Sequence, residues 1–119
     1  MMKLEKALDN LRSEFPDIPI FGNEISERET DENRSLFFYL ELDEYRKGTG
    51  GRGLIKTFHM AYLTREDKRI DVLKMIEAME AGTGLTFQDS TVDRGNIERT
   101  DEDAYMVQLR FTYQVRMCD

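Results

Sequence analysis

The sequence predicts an α+β domain: a mainly antiparallel sheet with two helices packed on it, in the order α-β-β-β-α-β-β. Three observations lead there. Two segments place apolar residues at the three- and four-residue spacing of one helical face. Several others alternate apolar with polar residues, the last over residues 104–117. Between two of the alternating segments lies YRKGTGGRG, residues 45–53, whose glycines suit a long hairpin tip.

The elements follow in order. Leu4, Leu8, Leu11 and Phe15 form one apolar stripe, and Pro16 ends the helix by forcing its predecessor out of helical geometry. Pro19 favours a short edge strand over residues 18–21, where a missing amide donor does little harm. The charged run NEISERETDENR, residues 23–34, predicts a long solvated turn. In the next strand, residues 35–43, Leu36, Phe38, Leu40 and Leu42 share one face, and Phe37, Tyr39 and Glu41 the other. A strand over residues 54–63 follows the tip, with Leu54, Phe58, Met60 and Tyr62 on one side. Thr64 and Asp67 have capping-box spacing, which predicts a second helix that buries Ile70, Leu73, Ile76 and Met79, helped by Val72. Gly82 and Gly84 stop it, Gly82 being suited to the left-handed position. A weaker strand over residues 85–92, interrupted at Asp89 and Ser90, precedes a polar loop from Asp93 to Asp103. The final strand has Tyr105, Val107, Leu109, Phe111, Tyr113, Val115 and Met117 on one face. At ~3.3 Å per residue it would span roughly 45 Å, against a radius of gyration of about 13–14 Å for a domain this size. It is therefore expected to bend, carry a bulge, or project toward a neighbouring subunit.

The 119 residues predict one domain, residues 1–119, with residues 45–53 as a flexible basic tip. Seventeen basic against twenty-four acidic side chains leave a net charge of −7, which argues against nucleic-acid binding driven by a global positive field. The single Cys118 has no internal disulfide partner and suggests a reducing compartment. Neither a signal peptide nor a membrane-spanning run is indicated, so no membrane partner is expected.

Catalytic equipment is sparse, and no enzyme, cofactor or metal is expected. Gly48, Gly50 and Gly53 satisfy G-x-G-x-x-G, but a dinucleotide site needs a helix after the glycines, and here a strand pattern follows. His59 is the only histidine, and Thr57 and Ala61 share its face, so no nucleophile accompanies it locally. Asp89, Asp93, Glu98, Asp101, Glu102 and Asp103 would serve a divalent cation only if they converged. The tip is the candidate partner-binding site. Arg46, Lys47 and Arg52, set among Gly48, Gly50 and Gly51, put three cations on a pliant finger in an acidic chain, suited to an acidic partner surface or a phosphate backbone.

The amphipathic first helix, the strands around a glycine-rich tip, the T-R-E-D-capped central helix and the long alternating last strand together resemble phage tail terminator, or tail-completion, proteins of long-tailed phages. That resemblance implies a virion structural protein assembled in the host cytoplasm. It would form a homo-oligomeric ring, a hexamer, that caps the tail tube protein and meets the head-side connector protein. DNA would pass through the channel without specific binding, as an acidic wall favours. Another neck protein, a small metal-dependent nucleic-acid enzyme and a monomeric adaptor are the alternative readings.

Overall fold

The computed structural model describes residues 2–22, 32–47, 53–66, 68–97 and 102–116. It is α+β, as expected. The elements are α1 (Leu4–Glu14), β1 (Ile20–Phe21), β2 (Ser35–Lys47), β3 (Gly53–Thr64), α2 (Val72–Glu80), β4 (Thr86–Ile97) and β5 (Glu102–Arg116). The strands form one sheet in the order β1-β2-β3-β5-β4, antiparallel throughout except for the short parallel pair β1–β2.

Both helices pack on the same face of the sheet. Ala7, Leu8 and Leu11 of α1 and Met75, Ala78 and Met79 of α2 meet Phe58, Met60 and Tyr62 of β3 and Val107, Leu109 and Phe111 of β5 in one core. Phe37 joins them from β2, its ring 5.6 Å from that of Phe15 and 5.5 Å from that of Tyr62. Of the two faces of residues 35–43, the core therefore takes the one with Phe37 and Tyr39. Phe38 and Leu40 lie on the opposite face, and Leu40 is 38% exposed.

Side chains satisfy the ends of α2, whereas α1 has no side-chain cap at Lys3 and closes through the Phe15 amide donating to the Leu11 carbonyl. α1 stops at Glu14 before Phe15 and Pro16. The Asn10 amide donates to the carbonyls of Ala78 and Ala81, at 2.9 and 2.8 Å, so α1 caps the C-terminal end of α2. Gly82 follows the cap with φ +69°, the left-handed conformation expected of it. Buried Thr83 closes the turn, donating to the Met79 carbonyl at 2.5 Å and accepting from the Leu85 amide at 3.2 Å.

Four expectations need correction. First, α2 begins at Val72 with Asp71 as N-cap, its carboxylate accepting from the Lys74 amide at 3.2 Å. Thr64 ends β3 instead; its hydroxyl accepts from the Glu66 amide at 3.1 Å and meets the Ser35 hydroxyl at 2.7 Å. Capping chemistry at this position builds a turn, since a Thr hydroxyl serves either purpose. Second, Leu73 is 64% exposed. With the helix starting at Val72, a 3.6-residue repeat groups Val72, Met75, Ile76 and Met79, and Leu73 falls on the far side. Third, the loop over Asp93–Asp103 is largely strand: β4 runs to Ile97 and β5 starts at Glu102, with Arg94 opposite Tyr105 and Asn96 opposite Asp103. A hairpin end polar on both faces carries no hydrophobic alternation to announce it. Fourth, β5 is an interior strand over most of its length, with Glu102–Ala104 running past the end of β3 and Tyr113–Arg116 past the start of β4. It lies between β3 and β4, paired with β3 from Tyr105 to Arg116. The domain lengthens to accommodate it, measuring 52 × 28 × 22 Å with a radius of gyration of 15.4 Å.

Candidate functional site

Three features invite attention: the base of the glycine tip, the sheet's open edges, and a cavity at the opposite end of β3.

β2 and β3 are antiparallel partners on either side of the glycine loop, with Lys47 opposite Leu54 and Arg46 opposite Ile55. A strand thus follows the glycines, and the helix N-terminus that a pyrophosphate would need is not there. Arg46 and Lys47 are exposed at the end of β2, while Gly48, Gly50, Gly51 and Arg52 lie outside the described residues. Just below, β2 bulges: Glu41 faces Phe58 and Tyr45 faces Lys56, so residues 42–44 oppose Thr57 alone.

A polar cluster sits beside this bulge. The Lys56 ammonium lies 3.4 Å from a Glu41 carboxylate oxygen and 5.4 Å from the Tyr45 ring centre. The Tyr113 hydroxyl, nearly buried, donates to the same Glu41 oxygen. Burial pushes the Tyr113 hydroxyl up to about 12, reinforced by its hydrogen bond to Glu41 and by that carboxylate's charge, with Lys56 opposing. The cluster ties β2, β3 and β5 together below the tip. Its members are Glu41, Tyr45, Lys56 and Tyr113, with no Ser or Cys among them.

Among the described residues, β4 has no strand on its outer side over its twelve residues, and β1 covers β2 only at Phe37 and Phe38. Such edges expose unpaired amides and carbonyls to a second chain. Val92, 53% exposed, stands on the β4 edge. On the sheet face away from the helices, Asp89 of β4 pairs through both carboxylate oxygens with Arg110 of β5.

Of the candidate carboxylates, Glu98, Asp101 and the Glu102 side chain lie outside the described residues. Asp89 is engaged by Arg110, whereas Asp103 lies toward the other end of β5, in register with Asn96. No cluster of three metal-ligating side chains occurs among the described residues. His59 lines a shallow hollow on the helix-free face with Phe38, Leu40 and Gln108, and no Ser or Cys lines it.

The sequence reading missed a cavity of about 630 Å³ where β3 leaves the sheet. Arg65, Lys68 and Arg69 line it from the connection to α2, with Arg94 from β4 and Tyr105 from β5. Its signal was present in TREDKR, residues 64–69, where three cations follow one strand. The capping-box reading had assigned those residues to a helix.

The chain matches no protein-family model, and comparison with curated proteins finds no match.

Proposed function

We propose that this protein works by assembly, as a phage tail terminator whose subunits form a ring at the head-proximal end of the tail. The observation that carries the reading is the long outer edge of β4, with no strand partner among the described residues. An exposed edge of this length is a template for pairing with a neighbouring chain, and a closed ring lets every copy use it. The edge role thus falls to β4, since β5 is interior. The net charge of −7 suits a channel wall that lets DNA pass without gripping it, and the basic tip suits contact with the tail tube.

Light scattering and negative-stain imaging of concentrated protein, alone and mixed with isolated tail tubes, test this. The reading expects ring-shaped particles of several 14.0 kDa subunits, or rings seated on tube ends. A single 14.0 kDa species under every condition, with bare tube ends, would overturn it.

A further inference from the structure

The cavity at the end of β3 forms because the β4–β5 hairpin outlasts its neighbour. β3 stops at Thr64, opposite Tyr105, while β5 begins three residues earlier at Glu102 and stays paired with β4 as far as Ile97. This overhang makes one wall, with Gly95, Asp103 and Ala104 on it and Arg94 and Tyr105 at its base. The connection from β3 to α2 makes the other.

The described residues on either side of position 67 in that connection are tied to the fold by hydrogen bonds. The Arg65 amide donates to the Arg34 carbonyl at 2.9 Å, the Glu66 amide to the Thr64 hydroxyl at 3.1 Å, and the Tyr62 hydroxyl to the Lys68 carbonyl at 3.1 Å. A pinned loop loses little freedom on binding, which favours affinity.

The lining's charge runs against that of the whole protein. Among the described lining residues, Arg65, Lys68, Arg69 and Arg94 outnumber two carboxylates, Glu66 and Asp103, in a chain of net −7. Glu66 is occupied on both oxygens, 3.1 Å from the Lys68 ammonium and 3.7 Å from the Arg34 guanidinium. Arg69 and Arg94 have no carboxylate partner among the described residues. The Arg94 guanidinium instead lies 5.7 Å from the Tyr105 ring centre, a contact that leaves its N–H donors free of the aromatic face.

From this geometry we propose that the cavity is a binding site for a small phosphate-bearing anion. A phosphate monoester carries about −1.5 to −2 charges at neutral pH, which these cations attract. Arginine's planar fork of donors matches phosphate oxygens in pairs, and Arg69 and Arg94, neither with a carboxylate partner among the described residues, both line this cavity. The volume falls within the range of about 300–1,000 Å³ typical of small-ligand sites, room for a sugar phosphate or a nucleotide. This site lies at the opposite end of β3 from the glycine tip and does not depend on ring assembly.

Isothermal titration calorimetry on the full chain tests it, with sodium pyrophosphate, ribose 5-phosphate and adenosine monophosphate as probes and sodium chloride as the ionic-strength control. Saturable one-site binding of at least one probe is expected, weakened at least tenfold in Arg69→Ser/Arg94→Ser. Arg94→Lys should keep part of the affinity, because the charge stays while the fork is lost. Arg12→Ser removes a cation on α1 and should leave binding unchanged; circular dichroism confirms that each variant is folded. A sugar phosphate that binds as tightly as the nucleotide identifies the phosphate as the recognised group, and tighter nucleotide binding adds stacking at Tyr105. No saturable heat with any probe overturns the site. So does affinity that survives in the folded double variant, or that falls equally in Arg12→Ser.

Discussion

Asn10 shows how one side chain can decide whether two elements stay together. Its amide serves two carbonyls at the end of α2, groups that the helix cannot satisfy itself. Asn10→Ala should therefore cost about 1–2 kcal/mol in urea unfolding, near the value of a lost cap. Two neighbours on α2 should behave oppositely. Met75 is fully buried, and Met75→Ala should cost about 2–5 kcal/mol, whereas exposed Leu73→Ala should stay within about 0.5 kcal/mol. Tyr113 adds a pH dependence. Its folded value of about 12 lies above the ordinary 10, so folding favours the protonated hydroxyl. That contribution is complete below pH 10 and is lost as pH rises toward 12. Stability measured across this window should fall less steeply in Tyr113→Phe than in the wild type.

At the scale of elements, the informative contrast is between β5 and β4. β5 carries the clearest alternation in the chain and sits inside the sheet, with Val107, Leu109 and Phe111 wholly buried. β4 is polar and exposed and forms the edge, bulged at Gln88 where Phe87 and Asp89 face consecutive residues Phe111 and Arg110. The Glu80 carboxylate accepts from the Phe87 amide at 2.8 Å, joining the bulge to α2. If copies pair along β4, a charge on that edge should oppose it. Val92→Lys is expected to leave the monomer's unfolding free energy within about 0.5 kcal/mol of wild type. It should also shift assembly, read by sedimentation velocity, to at least tenfold higher protein concentration.

Across the whole molecule, the sheet separates two basic regions by the twelve residues of β3, roughly 40 Å at strand rise. One is the tip, with Arg46 and Lys47 at its base; the other is the cavity. In the tail-terminator reading, the tip meets the tube. Replacing Arg46, Lys47 and Arg52 together with Ser should then weaken capping of tail tubes at least tenfold in a co-sedimentation assay, with melting behaviour unchanged. Undiminished capping would remove the tip from the docking surface.

Strand order along the chain, the antiparallel hairpin about the glycines and the left-handed Gly82 were all legible in the residues, because alternation, helical spacing and backbone freedom are local properties. What covers each face was not. Phe38 and Leu40 looked as fit for the core as Phe37 and Tyr39, and the choice was made by where α1 and α2 dock. The first turn of α2 was misread because Thr64 can cap a helix or close a turn, and β3 claims it. The cavity was beyond local reading: Arg65 and Arg69 share it with Arg94 only because β5 threads between β3 and β4, a pairing of β3 and β5 residues 41 to 63 positions apart along the chain. Local backbone preference governs the elements, while burial and charge at a distance depend on which elements the folded core brings side by side.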